Sequence, residues 1–544
     1  MHAGRTSLPL VRVGFVQIEF VRVGTEQPTE DVHGARHRRC PRNVSVGLPL
    51  VVRRAGSRNR PAGPTLETVP VSVLWFRRDL RLADNPALLA AATAARDDSG
   101  GTGGTRGTVL PLFVLDPALF GPAGAPRRAY LLRSLRALDT AVGGSGWSLG
   151  GARGAEPPEG LVLRHGRPAE QVVRVVREVG AAEVHVAADY GRYGQNRDAE
   201  VEKALAEAGV ALHRTGSPYA VAPGRVRKPD GTPYRVFTPY LRAWREHGWR
   251  QPAERPHGLS WARAGSDGWP EEPDLAGVTL PPAGEDAARA RLDRFLDERL
   301  HDYATARNRP DQPGTSQLSP ALKYGELHPR TVLAALAQRR GRGVESYRTE
   351  LCWRDFYADV LFTAPESSWT SLNRRVGAIE TDAGPDADAR FGAWAEGRTG
   401  YPIVDAGMRQ LAGTGWMHNR VRMVTASFLT KDLHLPWQRG AAHFMDRLVD
   451  GDLASNNHGW QWVAGTGTDA APYFRVFNPV TQGRTFDPDG GYVRRWVPEL
   501  AGVEGAAVHE PWKLPGGPPA GYPERIVDHA AERAEALARY ERVR

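Results

Sequence analysis

Residues 71–95 read VSVLWFRRDLRLADNPALLAAATAA, and this stretch sets the class of the fold. Val71–Phe76 is an apolar run with the character of a buried strand, and from Pro86 to Ala95 the apolar positions recur at helical spacing. The unit repeats. Apolar runs at Thr108–Leu115, Leu161–Leu163 and Glu183–Ala188 alternate with helical patterns near Arg127–Val142, Ala169–Val179 and Arg197–Ala208. Strands alternating with helices predict a parallel sheet covered on both faces, a Rossmann-like α/β domain over residues 71–213.

On either side the pattern changes. Residues 1–70 show no sustained periodicity and read as a disordered extension, or as translated sequence upstream of the true start. Residues 214–284, rich in Pro, Gly and Trp, read as a long connector. Residues 285–544 are dominated by helical periods, with loops at the Pro and Gly clusters 310–314 and 464–472. An all-α domain is expected there.

Composition excludes several classes. The 544 residues should form two to four units, and 41% hydrophobic with 24% charged residues is ordinary globular usage. No stretch approaches the ~18 apolar residues of a membrane span. Val44–Val52 contains Pro49, runs into Arg53-Arg54 and does not make a secretory core. Two cysteines, Cys40 and Cys352, exclude a disulfide framework, a four-cysteine iron–sulfur cluster and a cysteine-rich zinc site. A cytoplasmic protein is expected. The net charge of +9 misleads, because residues 1–70 hold eleven arginines against five acids, leaving only +3 for the rest. With 66 arginines against five lysines, the skew fits codon composition as well as phosphate binding.

The familiar nucleotide motifs are absent. Gly100–Gly107 (GGTGGTRG) follows a helix and precedes a strand, the reverse of a dinucleotide fingerprint, and reads as a surface loop. No GxxxxGK[ST] or HExxH occurs. Tryptophan is more telling: seven of 15 fall within residues 353–462, where chance would place about three. In the helix around Glu350, Trp353 and Arg354 fall at i+3 and i+4 and so share its face, as a buried ion pair or as a site. Asn419 and Met423 share a face in the same way, beside Arg420 and Arg422. Asp450 and Asp452 flank Gly451 without the spacing of a calcium loop, so pairing with Arg422 or accepting from a heterocycle N–H fits better. His418, His434, His443 and His458 lack metal spacing, and no metal site is expected.

Two long segments, WAEGRTGYPIVDAGMRQLAGTGWMHNRVRM (394–423) and DGDLASNNHGWQWVAGTGTDAAPYFRVFNP (450–479), closely resemble the flavin domain of the DNA photolyase/cryptochrome family. The resemblance runs back through TSQLSP (315–320) and ELCWRDFY (350–357) to LWFRRDLRLADNPAL (74–88), covering roughly residues 71–540. It is nearest to the class I members that act on cyclobutane pyrimidine dimers. It implies an α/β domain joined by a long connector to a helical domain holding folded FAD. By resemblance, Tyr303, Thr315, Ser316, Leu318 and Ser319 hold the phosphates and adjacent groups, and Arg354, Asp450 and Asp452 surround the flavin. Arg422 pairs with Asp450, and Asn456 lies beside flavin N5, where plant cryptochromes typically carry Asp.

The same resemblance bears on the substrate. Enzymes for (6-4) photoproducts typically have two histidines where this chain has Asn419 and Met423, and single-strand-preferring cryptochromes commonly have Tyr in place of Trp462. The implied activity is light-driven repair of cyclobutane dimers in double-stranded DNA, by a monomer, with a blue-light photoreceptor as the alternative. Trp353 and Trp462 would wall a flipped-out dimer, with Arg307, Arg420 and Arg475 near DNA phosphates. Glu350, expected protonated, would donate to a pyrimidine carbonyl with help from Asn419. A second antenna chromophore is implied, either 8-hydroxy-5-deazaflavin or methenyltetrahydrofolate. Trp460 and Trp437 match the first two of the family's three electron-relay tryptophans, but 382–390, where the third would fall, has no aromatic residue. Trp394 is the nearest candidate for the exit.

Overall fold

The computed structural model describes residues 71–97, 108–145, 160–256, 259–469 and 475–544. The readings of residues 1–70 and of Gly100–Gly107 fall outside these. Alternate residues of β1 (Val71–Phe76) explain how the sheet is covered. Val73 and Trp75 join one apolar cluster with Val172, Val176, Val201 and Leu205, whereas Leu74 and Phe76 join another with Leu88, Ala91, Tyr130 and Leu135. A strand buried on both sides needs helices on both faces, and the chain supplies them.

β2 (Thr108–Leu115), β3 (Val162–His165), β4 (Glu183–Val186) and β5 (Ala211–Arg214) complete a parallel sheet in the order β3-β2-β1-β4-β5. β3 pairs with β2 only from Leu112 onward, and β6 (Ser260–Trp261) pairs with the Thr108–Val109 end. The chain moves outward from β1 to β3, then returns to place β4 on the other side of β1. That reversal opens a crevice at the carboxyl ends of β1 and β4.

The remainder is helical around two cores. One gathers Leu292, Phe295, Leu333, Leu351 and Phe356; the other gathers Met408, Leu411, Val421, Val424, Phe444 and Trp460. Helix Pro402–Thr414 starts on proline, whose missing N–H costs nothing there, and stops at Gly415 with φ 62°. The 214–284 stretch is more structured than its composition suggested. Its helix Phe237–His247 buries Phe237, Tyr240 and Trp244 in the first helical core, and Trp244 Nε1 donates to Asp355 Oδ2 at 3.0 Å. Among the described residues no helix is long and apolar enough to cross a membrane.

Candidate active site

A cavity of about 500 Å³ lies between the two helical cores. Helix Arg342–Thr363 presents Glu350, Trp353 and Arg354 to it from one face, as their spacing requires. Trp353 is stacked flat on Phe237, ring centroids 3.6 Å apart and planes 7° apart. Arg354 is anchored on the carbonyls of Pro218 (2.8 Å) and Leu322 (3.0 Å) and lies over the Tyr219 ring. Glu350 has an ion-pair partner that its sequence neighbours did not suggest: Arg307 Nη1 lies 2.5 Å from its Oε1. Burial pushes the carboxyl up and Arg307 opposes the shift.

Helix Asn419–Ser427 is capped by His418, whose Nδ1 accepts from Arg420 N–H, and it brings Asn419, Arg420, Arg422 and Met423 to the same cavity. Arg422 Nη2 donates to Asp450 Oδ2 at 2.8 Å, the pairing the resemblance implied. Ser319 Oγ also donates to that oxygen, at 2.6 Å, while Asp450 Oδ1 is buried with no hydrogen-bond partner. Asp452 caps helix Leu453–Ala464 by accepting from Ser455 N–H, and Arg78, two residues past β1, binds its Oδ2 at 2.7 Å. The charges of Arg78, Lys323 and Arg354 hold its carboxyl well below the usual range despite burial. Asn456 Nδ2 donates to Ala441 O (3.1 Å) and Asn457 Oδ1 (2.8 Å), which leaves the amide oxygen for the cavity it lines.

Tyr303, Ser316, Leu318 and Ser319 line the opposite wall; Tyr347 O–H donates to Ser316 Oγ, and Gln317 holds a positive φ of 51°. Such a backbone is unusual outside glycine and belongs to a tightly determined turn. Thr315 does not line the cavity, nor does Trp437 or Arg475. Trp462 and Trp460 do. The Trp460 ring lies against Gly440, where an added Cβ would come within 2.1 Å of it, and Trp437 stands one helical turn before that glycine. Trp394 approaches Trp460 at 6.1 Å, but it is wholly buried and its Nε1 donates to Thr425 O, so it is no surface exit. The solvent-facing tryptophan in this region is Trp369, 46% exposed, whose carbonyl accepts from Gln438.

A second cavity, about 420 Å³, occupies the crevice at the carboxyl ends of β1 and β4. Trp75, Tyr190 and Tyr193 supply aromatic walls, with Arg77, Arg78 and Arg197 among its charges. Arg197 bonds Asp189 and Asp198, and Tyr193 O–H donates to Asp116. Lys323, Gly451 and Asp452 line both cavities, and burial pushes the Lys323 amine down to about 7. Reasoning from sequence missed Arg78, Lys323, Tyr219 and Phe237 as site residues. Arg78 sat inside a quoted motif, but no local spacing links it to Asp452.

The chain is 43% identical over 488 residues to the deoxyribodipyrimidine photo-lyase of Streptomyces griseus, covering 87% of this chain and 99% of that protein. It belongs to the DNA photolyase family. Family models agree, with the DNA photolyase domain matching residues 72–257 and the FAD binding domain of DNA photolyase matching 347–542. The Escherichia coli photo-lyase is 38% identical over 87% of this chain and 98% of its own length. A class III photolyase from Agrobacterium tumefaciens superposes with a TM-score of 0.77 at 37% identity, over 88% of this chain and 98% of that one. A Synechocystis cryptochrome gives 0.75 at 26% identity, over 87% and 100%. The residues present fit the photolyase flavin. A buried, unpartnered carboxylate oxygen on Asp450, a fixed amide on Asn456 and a serine-bearing turn converge on one cavity.

Proposed function

We propose that this protein repairs cyclobutane pyrimidine dimers in double-stranded DNA under light, acting as a monomer. The observation that carries the reading is that Glu350, Trp353, Asn419, Met423 and Trp462 share one cavity with Asp450, Asp452 and Asn456. The two indoles offer apolar walls to a dimer, which is poorly stacked in the duplex and costs little to extrude. Met423 and Asn419, standing where (6-4) enzymes carry histidines, favour the cyclobutane product. Arg307 and Arg420, which line the same cavity, would meet flanking phosphates, and Arg475 is read in the same way.

Tyr303, Thr315, Ser316, Leu318 and Ser319 would hold the FAD pyrophosphate side, where small hydroxyls and backbone N–H groups suit an anion. Asp450, Asp452, Arg354 and Arg422 would fix the ring. When bound, reduced FAD supplies the photoexcited electron that opens the two cyclobutane carbon–carbon bonds and takes it back. Asn456 would turn its oxygen to the N5 edge of the flavin, its Nδ2 protons being spent on Ala441 O and Asn457 Oδ1. Trp460 and Trp437 would carry electrons inward to the resting cofactor.

We further propose that the β1–β4 cavity holds the antenna chromophore, and that its aromatic, arginine-rich walls favour 8-hydroxy-5-deazaflavin over methenyltetrahydrofolate. A photolyase from Sulfolobus tokodaii, 28% identical with a TM-score of 0.71, was solved with two FAD molecules. Absorbance spectra before and after chromophore extraction identify the pigment.

Reduced protein illuminated with a dimer-bearing oligonucleotide should restore thymine absorbance, with no change in the dark or on a (6-4) lesion. Absence of light-dependent dimer loss would overturn the reading. The likeness to the Synechocystis cryptochrome supports the rival photoreceptor reading, and that result would favour it.

A further inference from the structure

Arg307 and Glu350 are each about a quarter exposed, 26% and 27%, and come from different elements. Arg307 closes the short helix Tyr303–Ala306, and Glu350 stands midway along Arg342–Thr363. Their contact sets two roles in conflict. A carboxylate held by a guanidinium accepts hydrogen bonds and has none to donate, yet a pyrimidine carbonyl gaining negative charge needs a donor. A guanidinium spent on Glu350 is likewise withheld from a phosphate. One displacement resolves both.

The surroundings decide what the carboxyl does once Arg307 moves. Tyr347 and Tyr357 on its own helix and Tyr303 on the neighbouring one are phenols that burial pushes well up, so none ionises near neutrality. Arg420, from helix Asn419–Ser427, is engaged on Asn308 Oδ1 and lies over Phe486. Arg354 is engaged on Pro218 O and Leu322 O. His418 accepts from Arg420 N–H and is held neutral by burial and by the arginines near it. Among the described residues, Arg307 is the cation that contacts Glu350. Without it the carboxyl is left with these phenols in a cavity that Trp353 and Asn419 also line, a setting that favours its neutral form.

We propose that Arg307 is a phosphate-operated cap on Glu350: it holds the carboxylate in the free protein and transfers to a DNA phosphate beside the lesion, whereupon Glu350 takes a proton from solvent and donates it in a hydrogen bond to the dimer. The inference rests on the dimer-repair reading above. One proton moves from water to Glu350 Oε1, the oxygen Arg307 vacates, and no covalent bond to the dimer forms. Arg307 is thereby a positioning residue whose contact with DNA arms the acid.

The test is calorimetric titration of the FAD-loaded protein with dimer-bearing duplex, in two buffers of different ionisation enthalpy. Wild type should take up close to one proton per site near neutral pH. Glu350→Gln, neutral in both states, should bind but take up none. Arg307→Gln should bind more weakly and take up little, its acid being already protonated. A dinucleotide dimer without flanking phosphates leaves the cap closed, so wild type should repair it several-fold less per absorbed photon, when bound, than the duplex lesion. In Arg307→Gln that ratio should approach one. Undiminished uptake in Glu350→Gln, or an unchanged ratio in Arg307→Gln, overturns the cap. Repair of both substrates without proton uptake sinks the cap alone, whereas no light-dependent repair of either sinks the dimer reading.

Discussion

Asp450 shows how one side chain can bind two demands together. Its Oδ2 takes hydrogen bonds from Arg422 and Ser319, and its Oδ1 is left without a partner in the protein. Removing Arg422 strands a carboxylate that is only 3% exposed. Full burial of such a pair would make the loss about 3–5 kcal/mol; with Arg422 itself 25% exposed, roughly 2 kcal/mol is the better figure. Arg422→Met should therefore lower the denaturation midpoint and reduce the FAD retained on purification. Full flavin content and an unchanged midpoint would show the pair to be idle.

At the scale of elements, legibility followed distance along the chain. Glu350, Trp353 and Arg354 were readable as a group because one helix carries them at i, i+3 and i+4. Arg78 and Asp452 are 374 residues apart, and Trp353 meets Phe237 from a stretch whose Pro and Gly content masked its helix. No periodicity encodes such meetings; packing does. The same gap misdirected the choice of Trp394, near in sequence but sealed inside. Accordingly Trp460→Phe should abolish photoreduction of oxidised FAD while chemically reduced enzyme still repairs, and Trp369→Phe should slow it. Trp394→Phe should leave the rate near the parent's; a marked slowing would restore the inner route. Helix Trp437–Arg447 also sets a steric condition, because a Cβ at Gly440 collides with the Trp460 ring. Gly440→Ala should cost about 1–3 kcal/mol and shift the flavin absorbance, and a parent-like spectrum and midpoint would refute the collision.

For the molecule as a whole, acid is the weak side. Burial pushes His418, His443 and His458 down to about 4, whereas unfolded imidazoles titrate near ~6.5. Between those values the unfolded chain binds more protons, so stability falls as pH drops from about 6.5 toward 4, and this contribution is absent above that window. The urea midpoint at pH 5 should lie below that at pH 7, with a smaller difference in His443→Gln; equal midpoints would contradict it. Deleting residues 1–70 should leave flavin content and repair unchanged, since the family match begins at residue 72, and a flavin-free truncated protein would say otherwise. The ion pair from Arg78 to Asp452 carries a last consequence. Because the segment just past the sheet's central strand steadies the cap of a helix lining the other cavity, the two halves are not interchangeable modules. A chimera that grafts a foreign α/β half onto this helical half would leave Asp452 to Lys323 and Arg354 alone unless the donor brings an arginine just past the same strand, so relatives that share this residue make the better partners for recombination.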